Sequence, residues 1–220
     1  MATGRNDKVY NLAKRIFDIV CALAVGIIFS PLMALITLAI KLDSPGPAIF
    51  KHRRIGQNGK VFYLWKFRSM YENPDQYILK NKELLKEFKK KEGWKFNDAS
   101  QDPRITRVGR FIRKYSFDEL PNLINIFSGE MSMVGPRAYR KDLFGDEIKE
   151  QLKIYPHLEN KLKIALSVKP GLTGPWQVSG RNELAWDKRV ELDAKYAREK
   201  SFLTDIKILL RTPFAMLNKW

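Results

Sequence analysis

Cysteine and histidine are nearly absent from this chain. The one cysteine, Cys21, excludes an intramolecular disulfide and suits a reducing compartment. It sits inside an apolar run and reads as a packing residue. Two histidines and one cysteine are too few for a zinc centre built from nitrogen and sulfur ligands. A metal here would be a hard ion held by carboxylate and phosphate oxygens. Acidic residues are also in deficit: 24 Asp and Glu against 40 Lys and Arg leave a charge of +16. That surplus is more than solubility asks for and implies an acidic partner, whether nucleic acid, anionic lipid headgroups or a phosphate-bearing substrate. No repeat or low-complexity tract divides the 220 residues, a length that suits one domain with its own core.

What the chain has in abundance, at one place, is apolar sequence. Ile16 to Ile40 reads IFDIVCALAVGIIFSPLMALITLAI, broken only by Asp18, Ser30 and Thr37. As a helix it would run about 37 Å, against a hydrocarbon core of about 30 Å. A cleaved signal peptide fits less well, because its apolar region is shorter and a small-residue cleavage site should follow. A buried core helix is the remaining alternative. Arg5, Lys8, Lys14 and Arg15 precede the segment; Lys41, Lys51, Arg53 and Arg54 follow it. Basic flanks favour the cytoplasmic side, and a straight crossing cannot put both flanks there. Pro31 lacks an N–H and kinks a helix. Ser30 can bond the carbonyl that the proline frees, and Gly26 adds slack. The segment therefore reads as a re-entrant helix broken at Ser30-Pro31, with both ends on one face.

Beyond it, Ser44-Pro45-Gly46-Pro47 is a rigid turn, and Asn58-Gly59 is a strong turn signal ahead of Val61 to Phe67, whose β-branched and aromatic residues suit a strand or a short buried element. The Lys- and Glu-rich stretch from Asn73 to Ser100 reads as an exposed helix. Ser116 to Phe127 and Glu183 to Lys200 read as further helices. Residues 201–220 are apolar with scattered Lys and Arg and are interrupted by Pro213. They suit either a membrane interface, with Phe214 and Trp220 at headgroup depth, or the core.

Four places carry potential chemistry. Ser116-Phe117-Asp118-Glu119 fits a capping box, with Ser116 as N-cap and Glu119 at N3, although Pro121 disturbs that frame. It also fits, as the lesser reading on these residues alone, a carboxylate nucleophile, Asp118, beside a ligand for a hard cation, Glu119. Gly135-Pro136-Arg137 presents a guanidinium that can pair with phosphate oxygens, or simply a surface arginine after a turn. Lys66 or Arg68, after the aromatic run, offers another phosphate contact or an exposed strand-end charge. Trp186, Val190, Asp193 and Ala197 share one helical face, so Asp193 lies in an apolar stripe. A carboxylate there needs a salt-bridge partner or a task.

Taken together, these segments resemble the bacterial sugar transferases, small monotopic phosphoglycosyl transferases. The resemblance runs from Lys14 to about Leu210. It rests on KRIFDI at Lys14, FSPLM at Phe29, KFRSM at Lys66, Asp102 to Arg137, KPGLTGPWQVSGRN from Lys169 and ELDAKY at Glu191, in family order. It implies a helix-rich α+β monotopic membrane protein. Residues 1–220 would form a single catalytic domain, with a re-entrant helix over 14–42, a cytoplasmic catalytic part over 43–200 and a possible interfacial helix over 201–220.

The implied reaction moves a sugar-1-phosphate from a UDP-sugar to undecaprenyl phosphate. It is ping-pong: Asp118 attacks the β-phosphate, UMP leaves, and the lipid phosphate then takes the phosphosugar. Mg²⁺ is the implied cofactor and Glu119 its ligand. By the same matching, Lys66, Arg113, Arg137 and Asp193 are active-site residues. Gln177, Arg181 and Asn182 are weaker candidates for the nucleotide or sugar pocket. Membrane lipids are implied partners, at the cytoplasmic face of the inner membrane, and self-association is left open. Galactose or glucose phosphate is the implied cargo of longer members, some of which carry extra N-terminal membrane helices. This chain would then be a short natural form or an excised catalytic part.

The departures bear on selectivity for sugar and nucleotide. Ala138 stands where proline is usual, Pro175-Trp176 where Trp-Ala is usual, Ser179 where Asn is usual, and His52 where Gln is common. The segment Asn81 to Trp94 is also longer than in small members. A membrane-tethered nucleic-acid binder would explain the charge, but no recognition motif is present. A non-catalytic scaffold of a glycan assembly complex is the other alternative, and it predicts no dependence on Asp118.

Overall fold

The computed structural model describes residues 3–89, 102–142 and 145–217. The apolar segment extends into one long helix, α1 (Thr3–Asp43), with Pro31 inside it. Proline cannot donate to the Ile27 carbonyl four residues back, and the Ser30 hydroxyl does so instead at 2.8 Å. The substitution expected from Ser-Pro is therefore present.

A hairpin follows, β1 (Ile49–Ile55) and β2 (Val61–Phe67), antiparallel in the register Ile49↔Phe67 to Ile55↔Val61. Its turn uses Asn58 (φ 55°) and Gly59 (φ 75°), the left-handed pair that the Asn-Gly signal predicts. The Lys-rich stretch forms two short helices, α2 (Pro74–Lys80) and α3 (Lys82–Lys89), rather than one. The rest of that stretch, including Trp94, lies outside the described residues. Thr106 then caps α4 (Arg107–Lys114), accepting from the Gly109 N–H at 2.9 Å.

The segment expected to be one helix from Ser116 to Phe127 is instead a 3-10 turn, Phe117–Asn122, leading into α5 (Leu123–Phe127). The capping-box expectation is corrected here. Ser116 is left-handed (φ 56°) and makes no side-chain cap bond. Its hydroxyl instead accepts from Arg181 Nη2 at 2.7 Å.

Next come β3 (Ser132–Val134), β4 (Tyr139–Asp142), β5 (Gly145–Asp146), α6 (Glu147–Ile154), α7 (Glu159–Ala165), β6 (Gly171–Thr173), α8 (Trp186–Glu199) and α9 (Phe202–Leu217). One sheet has the order β2-β1-β4-β5; the other pairs β3 with β6 in parallel. The core follows from these faces. Phe62, Leu64, Leu123, Ile126, Met133, Val134 and Tyr196 pack together, joined by Ala22 of α1. Ile36 and Ile40 of α1 pack with Ile112, Phe67 and Ala48. Cys21 packs half-buried against the first cluster.

Both ends of the apolar helix are tied to this one body. Near its start, Asp18 is buried and accepts from Ser132 Oγ and the Met133 N–H, each at 3.0 Å. Lys14 donates to Asp205 of α9 at 2.9 Å, and Tyr196 Oη lies 2.6 Å from the same carboxyl group. Arg15 donates to the Ile126 and Phe127 carbonyls at the end of α5. At the far end of α1, Arg68 donates to the carbonyls of Ile40 (3.3 Å) and Ser44 (2.7 Å) and to that of Pro45. Arg68 is thus a helix C-cap, its guanidinium engaged by backbone carbonyls. The outward face of α1 leaves Leu12, Ile16, Leu23, Ile27, Ile28, Leu35 and Leu38 exposed.

Candidate active site

Strand alternation decides which side chains of the hairpin face inward. Phe62 and Leu64 are buried, and Lys66 lies on the same side two residues further on. Directly opposite them stand Arg54 and His52, on the same face of β1. The inward stripe of β2 is therefore apolar until it ends in an ammonium group. That group meets the 3-10 turn. Lys66 Nζ donates to Asp118 Oδ2 at 3.1 Å and to Glu119 Oε1 at 2.7 Å. The side chains of Lys66, Asp118 and Glu119 are 16%, 11% and 31% exposed, so the bridge is shielded but open at Glu119.

A small cavity of about 30 Å³ opens beside this bridge, lined by Arg54, Lys66, Glu119, Asn122, Arg137 and Gln177 among others. Withdrawal from water would raise the pKa of Glu119. Lys66, then Arg137, then the Lys66 hydrogen bond and Arg54 outweigh that and hold the carboxyl below its usual range. Arg113, in the last turn of α4, is half-buried; loss of water lowers its pKa, opposed first by the charge of Asp118.

Arg137 is presented by a backbone crossing. A Cβ on Gly135 would meet the Lys169 carbonyl at 2.4 Å, and one on Gly171 would meet the Gly135 nitrogen at 2.1 Å. Only glycine permits this approach, which is locked by the Gly135 N–H to the Thr173 carbonyl (3.0 Å) and the Gly171 N–H to the Pro136 carbonyl (2.8 Å). Behind the crossing stands Asp193, 1% exposed, whose Oδ2 accepts from the Arg137 N–H at 3.3 Å. Its Oδ1 is buried with no hydrogen-bond partner among the described residues. Burial, only partly opposed by the Arg137 N–H and the charges of Arg137 and Arg189, pushes its pKa up to about 8. The Arg137 and Arg189 guanidiniums lie 5.0 and 4.9 Å from the buried Trp176 ring, which fixes the direction of Arg137.

Of the residues singled out in the sequence, Asp118, Glu119, Lys66, Arg113 and Arg137 converge. Asp193 supports Arg137 from behind, and Gln177 lines the cavity. Arg181 does not line it: its guanidinium donates to Ser116 Oγ and to the Ala215 carbonyl. The Asn182 side chain lies outside those described. Sequence reasoning missed Arg54 as a lining residue, although it faces inward with His52, opposite Phe62 and Leu64. It also missed Asn122, 2% exposed with its Oδ1 unpartnered among the described residues; no local pattern marks it.

Residues 9–219 match the family described as "Bacterial sugar transferase". An undecaprenyl-phosphate galactose phosphotransferase of Salmonella typhimurium is 42% identical over 94% of this chain and 40% of its own length. Exopolysaccharide production protein ExoY of Sinorhizobium fredii is 38% identical over 96% of this chain and 88% of its own. A UDP-glucose:undecaprenyl-phosphate glucose-1-phosphate transferase of Escherichia coli is 39% identical over 96% of this chain and 42% of its own. The chain thus spans about two-fifths of the first and third relatives and most of the second.

Proposed function

The chain belongs to the bacterial sugar transferase family, and from that premise we propose that it moves a sugar-1-phosphate, of galactose or glucose, from a UDP-sugar to undecaprenyl phosphate. The observation that carries this reading is the Asp118–Lys66–Glu119 bridge beside a cavity whose other cationic walls are Arg54 and Arg137. A diphosphate approaching a carboxylate nucleophile meets like charge, and these cations offset it.

A carboxylate oxygen of Asp118 attacks the β-phosphorus of the donor. The bond from that phosphorus to UMP breaks, UMP departs with the electron pair, and an acyl phosphate joins Asp118 to the sugar. Lys66, already between the carboxylates, shares its protons with the transferring phosphoryl oxygens, while Arg137 and Arg54 hold the rest of the diphosphate. A phosphate oxygen of the lipid then attacks the same phosphorus, and Asp118 leaves as carboxylate. Asp193 stays protonated near neutral pH and fixes the backbone of Arg137.

Asp118 and Glu119 already converge on one cation, and no group of three or more metal-ligating side chains gathers among the described residues. That donor set suits Mg²⁺ taking Glu119 from the protein and its other ligands from the diphosphate and water. When bound, the ion neutralises diphosphate charge.

The membrane reading rests on α1 and its neighbours. The described apolar segment, Val9–Asp43, is long enough to cross a bilayer. Yet Lys14 and Asp18 at one end and Asp43 and Ser44 at the other bond to the same folded body. A helix passing to the opposite side of a bilayer would carry one of these ends away from that body. This supports a monotopic arrangement in which α1 re-enters at Ser30-Pro31. Exposed Ile124 and Phe127 of α5 and Leu203, Ile206, Leu210 and Phe214 of α9 add apolar surface for the same interface, on the cytoplasmic face where nucleotide sugars are found. The test is to incubate bilayer-reconstituted protein with a panel of UDP-sugars, with and without undecaprenyl phosphate. UMP release and a phosphosugar mass adduct on Asp118 without lipid support the two-step scheme. UMP release only when lipid is present points to a one-step transfer, and silence across the panel with Mg²⁺ present refutes the activity.

A further inference from the structure

Two non-glycine residues on different loops share an unusual backbone conformation and touch each other. Ser116 (φ 56°) and Arg181 (φ 51°, after Gly180 at φ 136°) are both left-handed. Such conformations persist where the surroundings enforce them. What joins the two is the Arg181 guanidinium. Its Nη2 donates to Ser116 Oγ at 2.7 Å, and its Nη1 donates to the Ala215 carbonyl at 3.0 Å. Ala215 lies in the last described turn of α9. Ser116 stands two residues ahead of Asp118, and its carbonyl accepts the Glu119 N–H at 3.2 Å. The turn bearing both carboxylates is thus braced by one planar fork to a helix whose other face exposes Leu203, Leu210 and Phe214.

We propose that Arg181 is a positioning residue for the nucleophile: it holds the Ser116 turn in the conformation that aims Asp118, and it couples that aim to the seating of α9. This rests on the reading of Asp118 as the attacking group. A lysine cannot replace the fork, because a point charge reaches Ser116 or Ala215 but does not hold a planar pair of bonds.

The experiment uses the full chain in lipid nanodiscs with a UDP-sugar that wild type accepts. It compares wild type with Arg181→Met, Arg181→Lys, Ser116→Ala and the double variant Arg181→Met/Ser116→Ala. Single-turnover formation of the adduct without acceptor is followed by rapid quench and intact mass over donor concentration. Displacing an attacking oxygen by about an ångström costs roughly 10²-fold. The adduct rate at saturating donor should therefore fall roughly 10- to 100-fold in Arg181→Met and in Ser116→Ala. Half-saturation by donor should stay within a few-fold, Arg181→Lys should recover only part of the rate, and the double variant should be no slower than Arg181→Met. Additive losses, a wild-type rate in Ser116→Ala, or a rise in donor half-saturation with an unchanged rate would each overturn the proposal. Ser116→Ala removes a single oxygen, so it decides the matter if the arginine variants do not fold. Wild type that turns over with no adduct would instead defeat the Asp118 reading, and this proposal with it.

Discussion

Replacing Lys66 with methionine isolates the electrostatic core of the site. The ammonium is 3.1 Å from Asp118 and 2.7 Å from Glu119. Unit charges about 3 Å apart attract by roughly 5 kcal/mol at an effective dielectric of about 20, before desolvation is subtracted. Deleting one partner of a shielded ion pair costs about 3–5 kcal/mol, and exposure of Glu119 puts this triad at the lower end. Methionine keeps most of the volume, but leaves two carboxylates without their shared cation. Lys66 is the strongest influence lowering the pKa of Glu119, so its removal raises that pKa. The acid limb of adduct formation should move to higher pH, and the rate at its plateau should fall roughly 10²- to 10³-fold.

Stability follows the same sign. A carboxyl held below its unfolded value of about 4.3 stabilises the fold above that pH and stops doing so as pH falls through the folded value. The melting-temperature gap between wild type and Lys66→Met should therefore be open at neutral pH and narrow below about pH 4. Intact-mass time courses with donor alone, across the pH range, read the rate and the limb together. An unmoved acid limb with a rate within a few-fold of wild type would show that Lys66 does not tune the carboxylates, and the reasoning would fail.

Other substitutions report on separate parts of the argument. Asp118→Asn should form no phosphosugar adduct and support no turnover, read by mass and UMP release. Asp193→Asn removes a carboxyl whose folded pKa, about 8, lies above its unfolded value of about 3.9. Its stabilising contribution is complete below about pH 3.9 and is lost as pH rises through about 8, so the variant should melt higher than wild type in alkaline buffer and lack any activity limb near that pH. Arg68→Ala strands the carbonyls of Ile40 and Ser44 and should cost about 3 kcal/mol or more. Denaturation would show this as a lowered midpoint, with donor half-saturation unchanged. In a Cys21→Ser background, single cysteines at Val9 and Leu42, both exposed, should react with an impermeant thiol reagent from the same side of a sealed vesicle. Opposite sides would reject the monotopic arrangement.

Much of the local structure was legible in the residues. The β-branched and aromatic run VFYLWKF marked β2 to the residue, Asn-Gly marked its turn, and the Trp186–Val190–Asp193–Ala197 stripe is buried as its spacing requires. These are short-range patterns, and short-range sterics and burial enforce them. Ser30 beside Pro31 likewise announced its own hydrogen bond, because the missing donor and the substitute are neighbours. Motif matching brought Asp118, Glu119, Lys66, Arg113 and Arg137 to one list without saying what each one touches.

The failures share one cause. Ser-x-x-Glu is a capping signal only if the serine is extended, and Arg181, 65 residues away, instead holds Ser116 left-handed. Nothing near Arg68 in sequence showed that α1 would end against it. Asp18, a blemish in an apolar run, proved to be the peg that fastens that run to β3. Composition and spacing thus determined the membrane-length helix, the hairpin and the family. Tertiary structure alone decided which charged groups gather at the cavity and which cap or brace, because a guanidinium or a carboxylate is defined by partners that the chain brings to it from afar.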